Sequence, residues 1–75
     1  ELNVWPNPVV NNLNIFSNGL IKTISIHHAN GTFLENIQLL NGMNLINLSH
    51  LKAGMYFIKY NSINEGIKMI RLIKN

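Results

Sequence analysis

The stretch from residue 18 to residue 31, NGLIKTISIHHANG, decides the fold class of this chain. It starts with Asn18-Gly19 and ends with Asn30-Gly31. An Asn-Gly pair tolerates the positive φ that tight turns require, so each pair predicts a turn. Between the turns, Ile24 and Ile26 alternate with polar side chains, as on a half-buried strand. The stretch therefore predicts one short β-strand between two turns.

The same turn spacing continues along the 75 residues of the chain. The glycines follow one another at intervals of 12, 11, 12 and 12 positions, and they are Gly19, Gly31, Gly42, Gly54 and Gly66. Turn signals about every 8 to 12 residues, with short alternating runs between them, are typical of an all-β sandwich or barrel. The runs between the glycines differ in sequence, which argues against a solenoid repeat.

Alternating apolar side chains predict seven strands. Leu2 and Val4 predict a short first strand, and Met55–Tyr60, apolar on both faces, predicts a central strand whose second face is also covered. The other sets that we expect to share a face are Leu13 with Ile15, Ile24 with Ile26, Phe33 with Ile37 and Leu39, and Ile46 with Leu48. We therefore predict one domain over residues 1–75, a small seven-stranded immunoglobulin-like antiparallel β-sandwich.

The last run, GIKMIRLIKN at residues 66–75, fits two structures. Lys68, Arg71 and Lys74 recur at every third position, which suits a basic amphipathic helix at a membrane surface. The isoleucine content and the turn signal before the run instead favour a terminal strand. We predict the strand.

Composition excludes several classes of protein. The chain is 47% hydrophobic and 12% charged, which favours a folded core over disorder. It has no cysteine, so it forms no disulfide, and its only acids are Glu1, Glu35 and Glu65, too few for a calcium loop or a carboxylate pair. The net charge of +3 is explained by solvated surface residues. No apolar run is long enough to span a membrane, so we expect no direct membrane insertion.

The histidines and serines do not form a recognisable catalytic or metal site. His27 and His28 are adjacent and point to opposite faces of a strand, so one ion would not readily bind both. We expect His50 to have no acidic companion, and its adjacency to Ser49 does not provide the geometry of a triad. No nucleophile elbow, P-loop or dinucleotide fingerprint is present. We predict no enzymatic activity, no metal and no cofactor.

The aromatic residues Trp5, Tyr56 and Tyr60 allow two interpretations. Exposed aromatics stack on sugars and on bases, so these residues would suit a carbohydrate or nucleic-acid platform. Tyr56 and Tyr60 also alternate with Ile58 on one face of a strand, which favours packing in the core. Basic and aromatic residues are too scattered for a nucleic-acid-binding stripe, so we expect no nucleic-acid partner.

A proline-bracketed stretch precedes the first long strand. Pro6 and Pro8 fix φ and lack an N–H, and each biases the preceding residue toward extended geometry. We expect a stiff and poorly hydrogen-bonded segment that leads into the domain.

These motifs, in this order, resemble the type A C-terminal sorting domain of the type IX (Por) secretion system, found on proteins that Bacteroidetes export. The similarity covers essentially the whole chain. It begins with an aromatic-Pro-Asn-Pro opening and ends with a basic C-terminus. The matching stretches are Val4–Pro8, Leu13–Ile15, Ile24–Ile26 followed by Asn30-Gly31, Ile46–Ser49, Ala53–Lys59 and Arg71–Lys74.

The resemblance implies a non-catalytic signal. The domain would be read by the secretion machinery, escorted by an outer-membrane shuttle barrel and removed by a sortase-like surface protease, which would attach the cargo to the cell surface. The cargo would lie upstream of Glu1 and would be secreted or held at the surface, via the periplasm and the outer membrane. The recognition candidates are Pro6, Asn7, Pro8, Asn30, Gly31, Gly54, Tyr56, Lys68, Arg71 and Lys74.

The final strand, Gly66–Asn75, is our candidate for the contacted element. A strand at the chain end leaves an edge open for pairing, and three cations lie along it. The same open edge makes a dimer of the isolated domain plausible. Two other functions fit a β-sandwich: an immunoglobulin-like spacer or adhesion module, and a carbohydrate-binding module of a secreted enzyme. The carbohydrate-binding function requires a planar set of exposed aromatics.

Overall fold

Seven strands form two sheets in residues 2–75, the part of the chain that the computed structural model describes. The strands are β1 (Leu2–Trp5), β2 (Asn12–Ser17), β3 (Thr23–His28), β4 (Phe33–Gln38), β5 (Gly42–Asn47), β6 (Gly54–Ser62) and β7 (Gly66–Lys74). The strand pairs within each sheet are antiparallel. The predicted all-β class and the predicted number of strands are confirmed.

The strand order is that of an immunoglobulin-like sandwich. One sheet has the order β1-β2-β5 and the other has the order β4-β3-β6-β7. β3, β6 and β7 thus occupy the positions of immunoglobulin strands C, F and G, and β4 lies beside β3 as strand C′ does. The chain moves between the sheets after β2, after β4 and after β5.

The core lies between the inner faces of the two sheets. Ile15 from the three-stranded sheet and Ile26 and Ile58 from the four-stranded sheet are completely buried. Apolar residues of the connections close the ends of the sandwich. The buried apolar residues are Val9, Leu13, Ile15, Ile21, Ile24, Ile26, Leu39, Leu48, Leu51, Tyr56, Ile58, Tyr60 and Leu72. Burial of both tyrosines confirms that they pack in the core.

The Asn-Gly pairs turn the chain in two different ways. Gly19, Gly31 and Gly42 have φ of 93°, 92° and 99°, as the turn chemistry predicts. Asn30-Gly31 alone of the three closes a hairpin between paired neighbours, β3 and β4. The other two lie in crossings between the sheets. The dipeptide therefore predicts a reversal of the chain and does not specify which sheet the next strand joins.

β4 departs from the predicted alternation. The register between β3 and β4 shifts at Ile26 and His27, so that Ile26 lies opposite Glu35 and His27 lies opposite Phe33. Phe33 is consequently 55% exposed, while Leu34 and Ile37 pack against the core. The prediction that Phe33 shares the buried face of Ile37 is wrong, because an irregularity in the ladder exchanges the faces of the residues beyond it.

β6 and β7 have the predicted positions in their sheet. β6 lies between β3 and β7, which confirms a central strand. Its outer face is only partly covered, however, since Phe57 is half-buried and Met55 is 37% exposed. Residues 66–74 pair with β6 as an edge strand, so the strand interpretation of the final run is confirmed and the helix interpretation is wrong. Within the described residues, no helix capable of crossing a membrane is found.

Asn44 is a buried side chain that holds the connection between β4 and β5. It is 8% exposed, and its Nδ2 donates to the carbonyl oxygens of Ile15, Leu40 and Gly42 at 3.2, 2.9 and 3.2 Å. Its Oδ1 accepts from the N–H of Leu40 at 2.8 Å. One amide thereby satisfies backbone groups at the point where the chain changes sheets.

We expect Asn44→Ala to lower the free energy of unfolding by about 2 kcal/mol, because the substitution removes a buried hydrogen bond to Ile15 and partly buried bonds to Leu40 and Gly42. Urea denaturation followed by circular dichroism measures the change. Asn12→Ala on the exposed start of β2 is the matched control. Equal stability of the two variants would contradict the role assigned to Asn44.

Candidate functional site: the proline segment against the final strand

The proline segment, residues 6–9, lies along the outer edge of β7. The Nδ2 of Asn7 donates to the carbonyl oxygen of Arg71 at 2.7 Å, and its Oδ1 accepts from the N–H of Ile73 at 2.9 Å. A side-chain amide has the same donor and acceptor as a peptide group. Asn7 therefore pairs with β7 as a neighbouring strand would.

Val9 continues this pairing through its backbone. Its N–H donates to the carbonyl oxygen of Ile73 at 2.8 Å, and its carbonyl oxygen accepts from the N–H of Asn75 at 2.8 Å. The bridge between Val9 and Lys74 is parallel, and the Val9 side chain is fully buried. The expectation of a poorly hydrogen-bonded segment is wrong. Pro6 and Pro8 lack an N–H, but the Asn7 side chain and the Val9 backbone supply the bonds.

The proline segment covers only part of the β7 edge. The bonds from Asn7 and Val9 show that the backbone groups of Arg71 and Ile73 point away from β6. Because backbone groups alternate in direction along an edge strand, those of Ile67 and Met69 point outward as well. The first half of β7 is therefore the open part of this edge, and we call Ile67–Met69 the open edge.

We expect Asn7→Ala to destabilise the domain by about 1 kcal/mol and to accelerate hydrogen exchange of the Ile73 amide, which loses its acceptor. Thermal melting and NMR exchange rates measure both effects. Asn3→Ala on the exposed face of β1 serves as the control. Unchanged exchange at Ile73 would show that Asn7 does not hold the edge.

The three basic residues of β7 do not share one face. Arg71 is exposed and lies opposite Phe57, whereas Lys68 is half-buried and forms an ion pair with Glu65 at 3.2 Å. Lys74 is only 7% exposed, and its Nζ donates to the carbonyl oxygen of Asn75 at 2.8 Å. Residues three positions apart on a strand point to opposite faces, so these three residues do not form a single basic stripe.

Tyr56 has a structural role at the start of β6. Its hydroxyl donates to the carbonyl oxygen of Lys52 at 2.7 Å, and its ring centroid lies 5.8 Å from that of His28. A tyrosine at this strand whose hydroxyl bonds back to the preceding corner is the tyrosine corner of immunoglobulin-like folds. Gly54 precedes it with φ of 153°, a conformation that favours glycine.

The Asn30-Gly31 hairpin is held by side chains at its base. The Oδ1 of Asn30 accepts from the N–H and the hydroxyl of Thr32 at 2.9 and 2.6 Å. The Nδ1 of His27 lies 3.2 Å from the carbonyl oxygen of Gly31, and its Nε2 lies 2.9 Å from the Ser25 hydroxyl. A carbonyl only accepts, so Nδ1 carries the proton.

Most of the predicted recognition residues lie at one end of the four-stranded sheet. Gly54 pairs with Lys74 in the register, and β3 ends beside them at His28. A depression of about 370 Å³ at this end is lined by Asn30, Gly54 and Tyr56. The proline segment joins the same end through its bonds to residues 71–75. Lys68 is the exception and lies near the opposite end of β7.

The described residues contain no group of three or more side chains that could hold a metal ion. His50 does have an acidic partner, because its Nε2 lies 2.8 Å from the Oε1 of Glu35. The expectation of an isolated His50 is therefore wrong. The sequence separates the two residues by 15 positions, and only the folded chain brings them together.

Trp5, Tyr56 and Tyr60 do not form a planar platform. Tyr56 is 6% exposed and Tyr60 is 9% exposed, whereas Trp5 is 43% exposed on the other sheet. A flat glycan-binding surface needs several exposed rings side by side. The arrangement of these three residues gives no support to the carbohydrate-binding hypothesis.

Comparison with known proteins identifies one family. The family model described as the secretion system C-terminal sorting domain matches residues 3–75. No curated protein and no solved structure matches the chain.

Proposed function

Since this chain belongs to the family of type IX (Por) secretion-system C-terminal sorting domains, we propose that it directs a cargo protein across the outer membrane through that system. The single observation that carries the proposal is the family match over residues 3–75, nearly the whole chain. We further propose that the domain is a binding signal without catalytic activity of its own.

The arrangement of the motifs supports a signal that is read as a folded unit. The proline segment at one end of the sequence pairs with the final strand at the other end through Asn7 and Val9. A short linear signal would not need bonds between positions 64 residues apart. The proposed recognition surface therefore depends on the folded domain.

The open edge, Ile67–Met69, lies on the same final strand toward its other end, and it is our proposed point of contact. Its outward backbone groups would pair with a strand of the secretion machinery by β-augmentation. Arg71 is exposed beside it and would attract acidic groups, whereas Lys74 is buried and would not. The same edge would pair two isolated domains at high concentration.

The later steps are also part of this proposal. An outer-membrane shuttle barrel would escort the exported domain. A sortase-like surface protease would then remove residues 1–75 and join the cargo to the cell surface. Mass spectrometry of the exported cargo tests this step. Loss of the domain from surface cargo is the expected result, and an intact domain on all exported cargo would contradict cleavage.

Competition tests the sorting role itself. We expect overproduction of residues 1–75 in the periplasm of a host with a type IX system to reduce export of the host's own type IX cargo, because the free domain occupies the machinery. An equal amount of an unrelated β-sandwich domain is the control. Unchanged cargo export, with the domain shown to be folded and abundant, would count against the role.

A further inference from the structure

A groove crosses the outer face of the four-stranded sheet near the start of β3 and the end of β6. It has a volume of about 550 Å³, and its lining includes Lys22, Lys59, Phe33, Leu20 and Ile67. Ligand-binding clefts have volumes of roughly 300 to 1,000 Å³. The groove is therefore large enough to hold several side chains of a partner.

The charge of the groove has one sign. Lys22 and Lys59 line it, and no carboxylate does. The two glutamates in the described part of the chain have side-chain partners elsewhere, Glu35 with His50 and Glu65 with Lys68. A cleft lined by charges of one sign concentrates ligands of the opposite sign.

The remaining walls are apolar. Leu20 and Phe33 are each 55% exposed, and Ile67 is 61% exposed. Phe33 reaches this face because of the register shift in β4, which places it beside His27 with ring centroids 5.8 Å apart. A ligand that fills the groove must therefore present apolar side chains as well as negative charge.

We propose that this groove binds an extended acidic peptide segment of a partner protein, one in which pairs of acidic residues alternate with pairs of large apolar residues, so that each face of the segment carries both kinds of side chain. The carboxylates pair with Lys22 and Lys59, and the apolar side chains cover Leu20, Phe33 and Ile67. A peptide is favoured as the ligand because the two lysines and the apolar side chains line one depression of about 550 Å³, which is the size of a ligand-binding cleft. The inference goes beyond sorting and holds for the domain whatever cargo it carries.

The test uses two fluorescein-labelled peptides, SEELLEEFFEES and its basic counterpart SKKLLKKFFKKS, titrated into residues 1–75 and followed by fluorescence anisotropy. We expect saturable binding of the acidic peptide only, with NMR shift changes at Lys22, Lys59 and Phe33. Lys22→Gln with Lys59→Gln weakens binding at least about tenfold. Lys52→Gln is the matched control for loss of a charge, because Lys52 does not line the groove.

Four results would overturn the proposal: similar binding of both peptides, shift changes elsewhere, an equal loss with Lys52→Gln, or no binding of the acidic peptide, whether or not the domain binds phosphatidylglycerol vesicles. Phe33→Ser is a second variant, which tests the apolar wall: it should weaken binding of the acidic peptide, and unchanged binding would contradict a role for that wall. The Phe33 side chain is largely exposed, so the fold is retained, and circular dichroism confirms this before binding is measured.

Discussion

Deletion of residues 67–75 is expected to unfold the domain and to abolish export of a cargo fused to it. β7 pairs with β6 at nine positions, and it contributes Leu72, which is completely buried. Loss of a buried leucine side chain alone costs about 2 to 5 kcal/mol, a large part of the roughly 5 to 15 kcal/mol that stabilises a domain. The deletion also removes the backbone partners of Val9.

Circular dichroism and urea denaturation of the truncated domain measure the first part of this prediction, and reporter export measures the second. A truncated domain that keeps its β-sheet signal and unfolds cooperatively would contradict the structural role of β7. Because we expect unfolding, this deletion does not separate recognition of the final strand from its contribution to the fold.

Met69→Pro is expected to separate recognition of the final strand from its contribution to the fold. The N–H of Met69 points away from β6, and proline is tolerated at an edge position of that kind. The side chain is 55% exposed, so the free energy of unfolding should change by no more than about 1 kcal/mol. Export should nevertheless fall by about tenfold or more, because the ring removes a donor from the open edge and obstructs an added strand.

Two controls accompany this variant. Met69→Ala keeps the backbone donor and should export normally, which excludes a role for the side chain alone. In Lys68→Pro, the proline replaces a residue whose backbone N–H points toward β6. The variant should therefore lose a bond between the two strands and unfold. Normal export of a folded Met69→Pro domain would show that the open edge is not the contacted surface.

The fold class could be predicted from local signals. The alternation of Ile24 and Ile26 and the glycine spacing depend only on turn chemistry and on the period of a strand. The pairing of the strands and the face on which each side chain lies were harder to predict from the sequence. Nothing near Asn18-Gly19 specifies a crossing between sheets, and the position of Phe33 depends on a shift in register that a two-residue period does not contain.

The candidate site depended on contacts between distant positions. The proline motif was recognised in the sequence, but the bond from Asn7 to the carbonyl oxygen of Arg71 spans 64 positions. The spacing of three on β7 would give a common basic face on a helix, the interpretation that was not adopted, whereas a strand directs Arg71 away from Lys68 and Lys74. Asn44 gave no signal in a chain where asparagine is frequent, because only its burial distinguishes it.

Fusion of residues 1–75 to the C-terminus of a fluorescent protein that carries an inner-membrane export signal tests whether the domain alone directs export. The fraction of fluorescence at the surface or in the medium is measured in two hosts, one with a working type IX system and one without. Fluorescence outside the cell is expected only in the first host. Equal retention in the periplasm of both hosts, with the domain shown to be folded, would contradict it.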